Sequence, residues 1–301
     1  MVRNVAGIMT ELESEDFYLL SGVEQGMRFS EWVNRKKIPS LSNLSPEEVS
    51  YRLDRCAKRE LIERKTIQYE GYTLTAEGYD ALALHTFAER ETIDGVGAPL
   101  GVGKESDVLE VRAHKPMAMK FHREGYTNFR EVMRERNYTS EREHVSWLYT
   151  ARKAAEREYN ALVELYPTVN VPQPIEQNRH AIVMEKFSGV ELNRTKIPPG
   201  QVPGVLSLIL SELATTYEEG YVHCDMSEYN VAINESEVTI FDWPQAVPTT
   251  HQNSAERLTR DISNLVNYFQ RKYPQVAPDV SPADISSQIQ SGRFDSRDII
   301  G

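Results

Sequence analysis

Two short polar stretches, set close together in the last third of the chain, restrict what it can fold into. The first is Tyr221 to Asn230, "YVHCDMSEYN", and the second is "VTIFDWPQAV". Asp225 and Asn230 lie between the apolar pieces "YV" and "VAI", and Asp242 directly follows a strand-like run. An Asn and an Asp that converge offer hard oxygen ligands of the kind Mg²⁺ takes while keeping waters and sharing phosphate oxygens. A further Asp nearby can accept a proton or take a phosphoryl group. A turn cap accounts for any one of these carboxylates alone, so the rest of the chain has to supply the context.

That context begins upstream, in "PLGVGKESDVLEV". Gly101 and Gly103 lack a Cβ and let a strand-turn-strand backbone come close to a phosphate. Lys104 and Ser106 can add a charge and a hydroxyl to such a cradle, although two glycines in a turn are also simply a turn. Lys120 follows in the alternating strand Met117 to Phe121, where burying an ammonium is costly unless it is paired. Glu158 is the natural partner, on a helical face shared with Leu162 and Leu165. The opposite reading leaves Lys120 snorkelling to solvent and Glu158 exposed. In order, the set is Gly-loop, strand Lys, helix Glu, H-x-D-x-x-x-x-N and strand-end Asp, which matches the protein-kinase signature.

A length of 301 residues is comfortable for two domains. A net charge of −11 argues against a generally basic nucleic-acid coat, leaving room for a local patch that acts within roughly 10 Å. Cys56 and Cys224 have no metal-ligand spacing and read as reduced thiols. The N-terminal stretch turns acidic where a signal peptide needs an apolar core. The longest apolar run, Val205 to Leu210, falls far short of the ~20 residues of a membrane span. The expectation is a soluble, cytoplasmic chain with no membrane partner.

Residues 1–90 read as mainly helical. Ser45 is placed as an N-cap with Pro46 at the first helical position, and Val49, Leu53, Leu61 and Ile62 form an apolar stripe. A hairpin is expected around Glu70-Gly71, and Thr75 opens another helix. Helices, hairpin and closing helix follow the order of a winged helix-turn-helix, and "YTLTAEGYDAL" resembles the end of its wing. The candidate recognition helix and its end mix Arg52, Arg55, Lys58, Arg59, Arg64 and Lys65 with Glu47, Glu48, Asp54, Glu60 and Glu63, a weak phosphate footprint. A Gly-rich stretch marks a boundary near residue 90. Beyond it strands are expected at 108–111, 117–121, 182–184, 231–233 and 238–241, with helices near 145–165, 202–219 and 254–273. Residues 122–143, charged and poor in aliphatics, read as a mobile insertion.

"GVGKESDV", "MKFHREGYTNFREV", "VSWLYTARKAAEREYNAL", "NRHAIVME", "HCDMSEYN" and "FDWPQAV" together resemble the RIO family of atypical kinases, in its second, winged-helix-containing subfamily and of archaeal type. The expected fold is α+β: a winged helix-turn-helix over 1–90, then a truncated bilobal protein-kinase-like (RIO) domain over 91–301. Its small lobe is expected at about 91–185 and its large lobe at about 186–301. The resemblance implies ATP and Mg²⁺, with Mn²⁺ as a substitute. It implies that Lys120 meets the α/β phosphates with Glu158 as partner, that Asn230 and Asp242 hold the metal, and that Asp225 is the catalytic-loop aspartate. Gly101, Val102, Gly103, Lys104, Glu105 and Ser106 would line the phosphates, and Met184, Glu185 and Phe187 the adenine hinge. Asp261 resembles the helix aspartate that anchors the catalytic loop.

Departures from ordinary kinases are plain. Asp242 is followed by Trp243 and Pro244, no Ala-Pro-Glu follows, and 59 residues remain. A usual peptide-substrate site is therefore not expected. In the family this goes with ATPase activity, with Asp242 implied to receive the phosphoryl group transiently while the protein acts on the immature small ribosomal subunit, its rRNA and ribosomal proteins. Two other readings stay open. One is a genuine serine protein kinase with a protein substrate or autophosphorylation at Thr127, Thr139 or Ser140. The other is a winged-helix DNA-binding regulator whose kinase-like part senses ATP.

Overall fold

The structure is a computed structural model that describes residues 7, 9–66, 68–103, 105–124, 147–235 and 237–300. The chain divides into two compact units, Met1–Ala155 with Glu176–Val183, and Glu156–Ile175 with Met184–Gly301.

The first unit opens with α1 (Ser14–Gly26), β1 (Val33–Asn34), α2 (Ile38–Ser42), α3 (Pro46–Lys58), β2 (Ile62–Thr66), β3 (Glu70–Leu74) and α4 (Ala76–Glu89). The Ser45 hydroxyl accepts from the Glu48 N–H to start α3, and Thr75 accepts from the Gly78 N–H to start α4. Val49 and Leu53 bury the inner face of α3, with Leu61 and Ile62 beneath. The strands form an antiparallel sheet in the order β1-β3-β2. This is the winged-helix arrangement.

The hairpin exists, but its turn is not at Glu70-Gly71. Both residues are in β3, and the reversal lies between Thr66 and Glu70. Gly71 is there for packing: a Cβ on it would meet the Trp32 Cβ at 2.8 Å. The charges of α3 are also resolved. Arg52 is buried and ion-paired with Glu13, Asp16 and Glu48, Arg55 reaches Asp16, and Arg59 reaches Glu11. Three of the basic groups that a recognition helix would offer to phosphate are spent on carboxylates.

The same unit continues through β4 (Gly95–Val102), β5 (Ser106–Arg112) and β6 (Pro116–His122). Next come α5 (Trp147–Leu165), which passes into the second unit at Glu156, then β7 (Pro174–Asn178) and β8 (Ala181–Glu185), which lie in the first unit from Glu176 to Val183; the five-stranded sheet has the order β4-β5-β6-β8-β7. The Gly-rich stretch is thus largely a strand, β4. The segment read as a mobile insertion starts too early: His122 closes β6, and Arg123 is only 8% exposed, held by two carboxylates. Residues 125–143 of that expectation lie outside the described residues.

The second unit contains β9 (Val190–Glu191), α6 (Val202–Glu218), β10 (Tyr221–Val222), β11 (Val231–Asn234) and β12 (Glu237–Ile240). It closes with β13 (Val247–Pro248), α7 (Ser254–Lys272), α8 (Pro282–Gln290) and α9 (Arg297–Ile300). In α7, Leu258, Ile262, Leu265, Val266 and Phe269 recur at helical spacing on one face. They pack in a core with Leu206, Ile209, Leu210 and Leu213 of α6 and with Trp243. Two small antiparallel pairings, β12-β11-β9 and β10-β13, carry the polar loops. Both cysteines are free and buried. Among the described residues no helix is long and apolar enough to cross a membrane.

Candidate active site

The register of one hairpin brings the metal candidates together. Val231 of β11 pairs with Ile240 of β12, and the ladder extends by one bond, from the Phe241 N–H to the Asn230 carbonyl (3.0 Å). Asn230 and Asp242 therefore sit at the same end of the two strands. The Asn230 amide nitrogen donates to the Asp225 carbonyl (2.8 Å). That fixes the side chain and leaves its amide oxygen as the end able to face a cation. Asp225 itself is exposed on the loop between β10 and β11.

This loop is held in an unfavourable shape. Cys224 and Asp242 have φ of 68° and 71°, a region that costs a residue with a Cβ about 1–3 kcal/mol and persists only where the surroundings impose it. Here they do. Asp261 of α7 accepts from the Cys224 N–H (2.7 Å) and from the Met226 N–H (3.2 Å), while Arg260 donates to the Cys224 carbonyl. Asp261 is fully buried, and burial pushes its carboxyl up to about 6 against the pull of those two N–H groups. The sequence expectation of an anchoring helix aspartate holds. The Cys224 thiol is buried, donates to the Val222 carbonyl, and is pushed upward by burial, so it packs rather than reacts.

His223, to which the sequence reading gives no role, joins the two polar stretches. Its Nε2–H donates to the Phe241 carbonyl (3.1 Å), which leaves Nδ1 to accept from the Asp225 N–H (3.3 Å). Its ring lies 4.5 Å from that of Trp243. The H-x-D spacing was the signal available for it. Trp243 is fully buried, and its backbone N–H donates to Glu158 (3.2 Å). Glu158 is thus 1% exposed and touches the residue next to Asp242, which excludes the reading of an exposed carboxylate.

In the same unit, Met184 and Glu185 end β8, with the Glu185 N–H donating to the Gln173 carbonyl (2.8 Å). The Phe187 ring stacks on Phe241 at 5.1 Å. The first unit holds the other candidates. Gly101 and Val102 end β4, and the Gly103 N–H donates to the Ser106 carbonyl (2.8 Å) across the reversal into β5. Glu105 and Gly103 are exposed. A Cβ on Gly101 would meet nothing within 4 Å, so the protein's own packing does not demand glycine there. Lys120, on β6, pairs in register with Val108 of β5 and is 6% exposed, so it does not snorkel into solvent. Lys104 lies outside the described residues.

The donor set suits a hard divalent cation. Asn230 and Asp242 supply oxygen only. Among the described residues no group of three or more His, Cys, Asp or Glu side chains is placed to hold a metal. Mg²⁺ fits this sparse supply, because it commonly takes one or two protein oxygens and completes its shell with water and phosphate.

Comparison with known proteins bears on both units. Residues 107–282 match the RIO domain family, and residues 9–90 match the family described as Rio2, N-terminal. The chain is 40% identical over 252 residues to the RIO-type serine/threonine-protein kinase Rio2 of Methanocaldococcus jannaschii, covering 81% of this chain and 92% of that protein. It is 32% identical over 290 residues to serine/threonine-protein kinase RIO2 of Saccharomyces cerevisiae, covering 92% and 68%. Among solved structures, the Rio2 kinase-ADP/Mg²⁺-phosphoaspartate complex from Chaetomium thermophilum is 30% identical and superposes with a TM-score of 0.78 over 98% of this chain and 96% of that one.

Proposed function

The chain belongs to the RIO family of serine/threonine-protein kinases, with a Rio2-type N-terminal domain, and on that premise we propose that it is an ATP- and Mg²⁺-dependent phosphotransferase that hydrolyses ATP through a transient phosphoaspartate at Asp242. The observation that carries this reading is the shared strand end of Asn230 and Asp242, with Asp225 bonded to Asn230 through its carbonyl. The phosphoaspartate held by the similar Rio2 kinase complex supports it.

In this reading the hairpin from Gly101 to Ser106 lets backbone N–H groups approach the phosphates, and the Lys120 ammonium balances charge on the α and β phosphates, with Glu158 as its partner. Met184, Glu185 and Phe187 line the adenine. Asn230 and Asp242 hold Mg²⁺, which neutralises charge on the transferring phosphoryl group. An Asp242 carboxylate oxygen bonds to the γ-phosphorus as the bond to the β-phosphate oxygen breaks, and ADP leaves with that electron pair. Water then attacks the acyl phosphate, giving up a proton to Asp225, and inorganic phosphate departs as the Asp242 carboxylate is restored.

We divide the chain into a winged-helix domain (1–90), a small lobe (91–185) and a large lobe (186–301). Its proposed partner is the immature small ribosomal subunit in the cytoplasm, the setting that the family resemblance implies. A genuine serine protein kinase is the second reading, favoured by the names of the relatives. The deciding experiment is ATP turnover with Mg²⁺, with and without small-subunit precursors, in wild type and Asp242→Asn, with hydroxylamine treatment of trapped protein. The expected result is turnover with a hydroxylamine-labile phosphate that the variant lacks. Acid-stable phosphoserine alone would establish the serine-kinase reading instead.

A further inference from the structure

A buried ionic relay in the first unit has no task in the mechanism above. Asp80 lies in the middle of α4, the last helix of the winged-helix part, and is 1% exposed. Arg123 follows β6 directly. Its Nη1 and Nη2 donate to the two Asp80 oxygens, each at 2.7 Å, and its Nε donates to Asp107 at 3.0 Å. The guanidinium lies over the Phe121 ring at 5.5 Å, so its plane is set on one face by an aromatic ring and in-plane by two carboxylates. Asp80 is fixed in turn. His180 Nε2 bonds to it at 2.7 Å, and the His180 ring stacks on Tyr79 at 4.4 Å.

The other end of this relay is the glycine hairpin. The Arg123 backbone N–H donates to the Glu105 carbonyl (2.7 Å), while its side chain holds Asp107. One residue therefore pins both neighbours of Ser106, one through main chain and one through side chain. We infer that the Asp80–Arg123–Asp107 relay is a positioning device, by which the winged helix sets the geometry of the phosphate hairpin and senses whether nucleotide occupies it. This deepens the kinase reading and rests on it.

Two features favour this over a plain clamp. A joint between a helix and a sheet can be built from apolar side chains without the desolvation cost of three charges; a planar bidentate fork adds direction, which packing alone does not. The structure also contains a second forked arginine for contrast. Arg179, in the turn between β7 and β8, donates to both oxygens of Glu24 and to the Leu82 carbonyl and Thr86 hydroxyl of α4. That hold fastens the same helix to the same sheet through the β7–β8 turn, with bonds to Glu24 and α4, whereas Arg123 reaches Glu105 and Asp107 of the hairpin. By reciprocity, if α4 biases the hairpin toward binding, bound nucleotide must stiffen α4 by the same free energy.

The test uses the full chain and two variants. Asp107→Asn keeps shape and the Asp80–Arg123 pair but removes the charge at the hairpin end. Glu24→Gln weakens the other clamp as a control for loosened docking. The readouts are affinity for fluorescent ADP with Mg²⁺, and amide hydrogen exchange across Ala76–Glu89 with and without ADP. In wild type ADP should slow exchange in α4. Asp107→Asn should bind ADP roughly fivefold more weakly or worse and lose that slowing, while Glu24→Gln lowers Tm yet keeps both. The inference is overturned if Asp107→Asn keeps its affinity and the α4 protection, if Glu24→Gln loses them equally, or if wild type binds ADP with no change in α4. Wild type that binds no ADP at all overturns the kinase reading and the relay's role with it, and that failure is visible before any variant is made.

Discussion

Asp261 keeps a carboxylate where water does not reach, because two backbone N–H groups of a strained loop need an acceptor. Its native value of about 6 lies above the ordinary 3.8. The native state therefore holds this proton more tightly than the unfolded chain does. The resulting stability is full below about 3.8 and is lost as pH rises through about 6; at 1.36 kcal/mol per unit it amounts to about 3 kcal/mol. Asp261→Asn removes the titration and offers one acceptor oxygen for two donors, which costs about 1–3 kcal/mol and frees the Cys224–Met226 backbone. Urea unfolding should show wild type gaining stability over the variant between pH 7 and pH 4.5, and turnover of the variant should fall at pH 7. A stability difference that is flat across that window would sink the account. Asp80 does not interfere: held down to about 2 chiefly by Arg123 against its burial, its contribution is present above 3.8 and is lost only as pH falls through about 2. Asp261 was legible in the sequence because its place in a helix repeats a known pattern. His223 and Arg123 were harder, since their partners are carbonyls and carboxylates that only the folded chain brings near.

At the scale of elements, glycine and caps decide where α4 begins. The Gly78 N–H donates to the capping Thr75 hydroxyl, and Gly78 sits so close to the start of β2 that a Cβ on it would fall 2.0 Å from the Leu61 carbonyl oxygen. Helix propensity alone would make Gly78→Ala stabilising by about 1 kcal/mol. The clash is with backbone, which cannot rotate away, and overpacking of this kind costs about 1–3 kcal/mol or more, so the net sign is destabilising. Thermal unfolding of Gly78→Ala should show a lower Tm; an unchanged or raised Tm would mean that α4 shifts freely against β2. Elements with strong periodicity were readable: α3, α6 and α7 by their apolar faces, and β5, β6, β8, β11 and β12 by their short apolar runs. β7 was not, because "PIEQN" is an edge strand with every residue half-buried and no alternation to detect. The two-residue strands β1, β9, β10 and β13 are too short to carry a period at all.

At the scale of the whole molecule, the change of sequence texture near residue 90 does not interrupt the packing of the first unit, which runs through Ala155 and takes in Glu176–Val183. The polar contacts show why. Asp80 pairs with Arg123 and hydrogen-bonds His180, Glu24 pairs with Arg179, and Arg90 reaches Glu176. A chain begun at residue 91 would keep Arg123 and Arg179 but lose the carboxylates Asp80 and Glu24. Breaking one buried pair by removing a single partner costs about 3–5 kcal/mol, set against a total stability of about 5–15 kcal/mol for a domain. Deleting the whole helix lets water reach Arg123 and lowers that cost, but the fragment also forfeits the Arg179–Glu24 pair and the Tyr79 ring stacked on His180, and together these take a large share of what holds the β4–β8 sheet. Residues 91–301 expressed alone should lack a cooperative urea transition in the probes that report on this sheet, such as amide exchange over β5 and β6. The full chain should protect those same amides. A 91–301 fragment with full-length protection at β5 and β6 would show that the sheet folds without the winged helix, and that the buried pairs act only to dock it.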